Sequence, residues 1–159
     1  MANCVKALEG WTGKTRATII FDSTVDEFTD QGLFDKVKEK RNIALVGFTT
    51  DSDVFGGFYS VAVTQQEKKF FDPNMFIFSF ESHGWCETPK KFPVKAQARE
   101  YKFVLFFKDN SDGWFVDIGG MDGWFNLGNE KSRTWCAGLS SGFEGIENYT
   151  LTGKPSCVK

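Results

Sequence analysis

The residues of this chain that are able to do chemistry are few and scattered. Nucleophile-and-base hydrolysis or group transfer calls for a histidine, and the sequence has one, His83, between Ser82 and Gly84. A histidine in the turn after the strand that ends at Phe80 is the better account of it. The four cysteines, Cys4, Cys86, Cys136 and Cys157, form no Cys-x-x-Cys pair and with a single histidine do not build a zinc site. No metal or other cofactor is therefore expected. Cys86, near Lys90 and Lys91, and Cys136, near Lys131 and Arg133, are the candidates for redox sensing, because nearby positive charge lowers a thiol pKa. Asp51-Ser52-Asp53 lacks the ligand ladder of an EF-hand and reads as a hairpin turn. Asp22, Asp26, Glu27 and Glu81 flank expected strands, and two of them at the right separation would support carboxylate catalysis of the glycosidase kind. Gly119, Gly120, Gly123 and Gly128 match neither a dinucleotide nor a Walker phosphate loop.

Charge offers a second route to function. The net charge of −2 gives no global attraction to nucleic acid or membrane. Locally, Lys36, Lys38, Lys40 and Arg41 spread around a helix end, and Lys90 and Lys91 are the basic stretch able to join them on DNA or an acidic partner. No apolar run approaches the ~20 residues of a membrane-spanning helix. The start lacks a signal run, which places the chain in the cytoplasm, or in the nucleus if it binds DNA, and leaves the Asn148-Tyr149-Thr150 sequon an ordinary loop.

Length and composition set the frame that must hold these groups. With 159 residues, 18 Phe, 5 Trp, 16 Gly and 4 Pro, the chain reads as one domain over 1–159 whose rings fill the space between sheets. The fold class expected is α+β, mainly β: a two-layer antiparallel β-sandwich with short flanking helices. Its centre is a hairpin over residues 43–63, an apolar run, the turn residues Thr50-Asp51-Ser52-Asp53, and an alternating partner strand, with Ala44-Leu45-Val46 covered on both faces. Gly56-Gly57 marks a bulge or a close approach by another segment. Residues 18–21 read as a strand. Residues 29–41 read as an amphipathic helix with Thr29 as N-cap, and residues 5–8 as one helical turn stopped by Gly10. A strand is expected over 75–80 and irregular chain over 81–97. A second hairpin over 101–107 and 114–118, short strands over 124–127 and 135–137, a loop over 138–145 and a final strand over 149–152 complete the pattern. The core is expected to hold Phe21, Leu45, Phe58, Phe76, Phe78, Val104 and Phe106.

Asp53-Val54-Phe55-Gly56-Gly57-Phe58-Tyr59-Ser60, then Met75-Phe76-Ile77-Phe78-Ser79-Phe80 and Lys91-Phe92-Pro93-Val94, resembles the core of a TLDc domain of the single-domain, oxidation-resistance type. Upstream, Thr18-Ile19-Ile20-Phe21-Asp22-Ser23-Thr24-Val25-Asp26-Glu27-Phe28 resembles the family's opening strand and serine-containing loop. The likeness covers roughly 11–152, and Asp117-Ile118-Gly119-Gly120-Met121-Asp122-Gly123 stands where the family usually carries Gly-Phe-Gly. In this motif Phe55, Gly56, Gly57 and Phe58 have a structural part. The resemblance implies a non-catalytic interaction domain linked to the oxidative-stress response, with a protein partner, in parts of the family a subunit of the vacuolar proton-pumping ATPase. The alternative is a stress-responsive DNA-binding transcriptional regulator gated by a small ligand or by thiol oxidation. The third reading is the carboxylate enzyme.

Overall fold

The computed structural model describes residues 2–82, 88–120, 123–129, 135–147 and 151–152. Among the described residues nine strands form two antiparallel sheets. The first sheet has the order β1 (Ile43–Phe48), β2 (Val54–Tyr59), β4 (Phe76–Glu81), β5 (Lys90–Pro93). The second has the order β3 (Phe70–Phe71), β6 (Phe103–Phe106), β7 (Trp114–Ile118), β8 (Trp124–Gly128), β9 (Trp135–Ala137). This is the mainly β, α+β sandwich that the aromatic load and the alternating strands predict.

The expected core divides into two layers. Leu45, Val104 and Phe106 lie between the sheets with Phe55, Tyr59, Ile77, Ile118 and Phe125, and Phe21 packs against that layer partly buried. Phe58, Phe76 and Phe78, with Phe80, lie on the other face of the first sheet and form a separate cluster. Alternation along β2 and β4 sends successive side chains to opposite faces, and both faces of these strands are covered.

The cover of the outer face is helix α1, Ala2–Thr12. Cys4, Ala7, Leu8 and Trp11 pack against the phenylalanines, and their spacing of three and four residues makes one helical stripe. Trp11 stacks on Phe80 at a centroid distance of 5.8 Å with 10° between planes, and meets Phe76 edge-on at 6.0 Å. The helix therefore runs through Gly10. That residue is exposed with open space around its Cβ position, so it costs only the ~1 kcal/mol of a glycine in a helix. The stop is Gly13, at φ 68°, whose N–H donates to the Glu9 carbonyl at 2.9 Å.

Helix α2, Asp30–Val37, starts where expected: Thr29 Oγ1 accepts the Gly32 N–H at 3.0 Å. It ends four residues before Arg41, because Lys38 turns extended and Glu39, at φ 63°, donates its N–H to the Val63 carbonyl. Leu33, Phe34 and Val37 reach the inner core.

Further expectations are corrected. Residues 18–21 make no strand; Ile20 and Phe21 pack on the core while Ile19 is exposed, and among the described residues no strand pairs with them. β1 is an edge of its sheet, not its centre, and Val46 and Phe48 face solvent. Residues 90–93, expected irregular, pair with β4 as β5, and β3 went unread because a two-residue strand has no periodicity. The loop over 138–145 contains the short helix α3, Leu139–Gly142. Of the final strand only Leu151 and Thr152 fall among the described residues, buried and outside any strand. Trp124 and Trp135 do open strands as expected.

Candidate functional site

The glycine pair sits where the layers meet. β2 pairs β1 and β4, with a register shift at Val54/Phe55 against β4. Gly56 faces outward: a Cβ there would overlap the Leu45 carbonyl oxygen and lie 2.8 Å from Phe78 Cζ. Gly57 faces inward, where a Cβ would meet Ile118 Cδ1 of the second sheet at 2.9 Å. Phe55 and Phe58 flank the pair on opposite faces, Phe55 edge-on to Phe125 at 5.4 Å and Phe58 stacked on Phe76 at 4.8 Å. The four residues are thus a packing device, as the motif implies.

The basic residues separate into groups. Lys38, Lys40 and Arg41 are exposed together in the connection from α2 to β1. Lys36, on the helix, pairs with Asp26 at 2.9 Å. Lys90 and Lys91 lie on β5, the opposite edge of the first sheet from β1. Lys91 is held inward, its Nζ 4.5 Å over the Phe76 ring and 3.4 Å from the Trp11 carbonyl. Three of the six charges, Lys38, Lys40 and Arg41, thus share one exposed connection.

Of the thiols, Cys136 is 3 % exposed on β9, opposite Phe125 in the inner core. The exposure a sensor thiol needs is not met there. Cys86, His83, Lys131, Arg133 and the sequon fall outside the described residues.

The carboxylates build turns. Asp26 Oδ2 accepts the Asp22 N–H at 2.8 Å, and Asp22 Oδ1 accepts both the N–H and the hydroxyl of Thr24. The Thr24 hydroxyl bond holds the Asp22 pKa below the ordinary value, and the Asp22 N–H, with Lys36, does the same for Asp26. Glu27, next to Asp26, and Glu81, at the end of β4, are exposed. Asp51-Ser52-Asp53 is the β1–β2 turn: the Thr49 N–H donates to the Asp53 carbonyl at 3.0 Å, and Ser52 takes φ 67°. Among the described residues no group of three metal-ligating side chains comes together, and no helix is long and apolar enough to cross a membrane.

One ionisable pair was not singled out from the sequence. Lys102 is 1 % exposed and donates to the Gly123 carbonyl at 3.0 Å. Asp117, on β7, is pushed up to about 6 by burial, against the Gly120 N–H and the charges of Lys102 and Lys69. The available signal was an acid between Val116 and Ile118 in a strand of apolar neighbours.

Two antiparallel sheets, a helix closing the outer face of one and a second helix whose Leu33, Phe34 and Val37 pack into the layer between them define a mainly β sandwich domain with helical flanks. The chain matches the TLDc domain over residues 2–145, and it belongs to that family. No curated protein matches it.

Proposed function

We propose that this TLDc domain works by binding another protein, in the service of the oxidative-stress response, and that its partner is a subunit of the vacuolar proton-pumping ATPase. The observation that carries the reading is the uncovered end of the first sheet's outer face. α1 covers the Phe58–Phe76–Phe78–Phe80 cluster. Val46 and Phe48, on the same face of edge strand β1, stay 36 % and 65 % exposed. An edge strand with apolar side chains is suited to a partner that adds main-chain hydrogen bonds along β1 and fills pockets with alternate side chains. The test is capture of the solubilised proton pump on the immobilised protein. Wild type is expected to retain it and Phe48→Asp to lose at least 10-fold in affinity, since a buried aromatic anchor is worth about 2 kcal/mol or more. Absence of retention by wild type overturns the reading.

The second reading, a DNA-binding regulator, is favoured by Lys38, Lys40 and Arg41, three exposed cations outside any ion pair among the described residues. With three phosphate contacts the log-log salt dependence of affinity would have a slope of roughly −3. Changing all three to glutamine is expected to flatten it while leaving folding intact. Wild type that is not retained on DNA at low salt removes this reading.

A further inference from the structure

At the end of the first sheet where α1 finishes and β5 begins to leave, the surface folds into a cavity of about 420 Å³. Among the described residues three cations line it, Lys14, Lys91 and Arg99, and no aspartate or glutamate does. In a chain with 21 acidic and 19 basic residues, three positive charges around one cavity with no acid among them is a local imbalance that the sequence order hides. Lys14 follows the helix end, Lys91 sits on β5 and Arg99 follows the short 3₁₀ turn Ala96–Ala98. The fold alone brings them together.

Neutral hydrogen-bonding groups complete the lining: Asn42, Ser60 and Asn74. Behind this wall Asp72 is fully buried and hydrogen-bonded. It accepts the N–H and the hydroxyl of Ser60, the latter at 2.9 Å, and the Asn74 N–H at 3.0 Å. Its charge lies directly behind the Ser60 and Asn74 wall and lowers the positive potential there. Lys91 is fixed before any ligand arrives, by the Phe76 ring beneath it and the Trp11 carbonyl beside it. Neither Lys14 nor Arg99 takes part in an ion pair among the described residues.

We infer that this cavity binds a small, multiply charged anion of the phosphate-ester class. A volume of this size suits a small ligand. Arg99 supplies a planar fork that matches a phosphate through paired N–H donors, while the two ammonium groups add point charge. Neither Val46 nor Phe48 of the β1 edge lines this cavity.

The test is isothermal titration of the full chain with sodium pyrophosphate at low salt. Two parallel arms determine whether the phosphate comes from solution or from a lipid headgroup: flotation with vesicles containing phosphatidic acid, and the same vesicles in excess pyrophosphate. Saturable binding is expected, weakened at least 10-fold in both Lys14→Gln and Arg99→Gln and unchanged in Lys108→Gln, an exposed lysine between β6 and β7 outside the cavity lining, with thermal unfolding of all three as in wild type. Flotation that pyrophosphate reverses assigns the same site to a headgroup. Absence of binding heat in wild type, or equal affinity in the folded Lys14→Gln and Arg99→Gln variants, overturns the inference.

Discussion

Gly56→Ala is expected to destabilise the protein by about 3 kcal/mol, the upper end of ordinary overpacking, and to lower Tm by roughly 6–12 °C for a chain of this size. The added methyl would overlap the Leu45 carbonyl oxygen, a backbone atom of the neighbouring strand, and press on Phe78. A flexible side chain yields at little cost. Here β1 and β2 would have to separate, and the ladder from Ile43–Tyr59 to Phe48–Val54 would open with them. Gly57→Val is the milder change, at about 1 to 3 kcal/mol, because the obstacle is Ile118, a side chain able to shift at the cost of packing. Thermal and urea unfolding of the two variants measures the order. Wild-type stability in Gly56→Ala would show that the strands give way more easily than their register implies.

Asp117 sets the second large effect, on the pH dependence of stability. Its folded pKa, about 6, lies above the ordinary 3.8. The folded protein therefore holds a proton that the unfolded chain has already released. The stabilisation is complete below about pH 4, is lost as the pH rises through about 6, and is absent above that. The difference of about two units corresponds to a loss on the order of 3 kcal/mol between the two limits. Its cross-strand partner on β8, Asn126, has a buried Oδ1 with no hydrogen-bond partner among the described residues, an environment that favours a neutral acid over a carboxylate. Asp117→Asn keeps an acceptor for the Gly120 N–H, which bonds Asp117 Oδ1 at 3.3 Å. The variant is expected to match wild type near pH 4 and to exceed it by a few kcal/mol at pH 7. Denaturant titrations at the two pH values check this; parallel pH curves for the two proteins would mean that Asp117 titrates normally.

Local rules carried much of the architecture. The Thr29 cap, the β1–β2 turn, the Asp-Gly end of the β6–β7 hairpin and the alternation along β2 and β4 each depend on neighbours within a few residues, and such neighbours are visible in the sequence. The glycine pair was legible too, because missing side chains in a strand imply something close by. The errors share one physical origin. Gly10 looked like a stop until Trp11 found the Phe76–Phe78–Phe80 face, and tertiary burial of that stripe outweighed a small propensity cost. Residues 18–21 have strand character but gained no pairing partner among the described residues, and β5 lacked strand character but gained β4. β-structure depends on what lies alongside, and sequence order does not contain that.

The site was less legible for the same reason. By itself the sequence determined a mainly β sandwich and the capped helix, because composition, periodicity and short-range geometry specify them, and the likeness of its strand motifs to the TLDc domain pointed to the family. Tertiary structure alone decided that Lys91 lines one cavity with Lys14 and Arg99, that Cys136 is enclosed and that burial raises the Asp117 pKa to about 6. Charge and burial act through space, and residues 14, 91 and 99 become neighbours only once the sheet and its helix have closed.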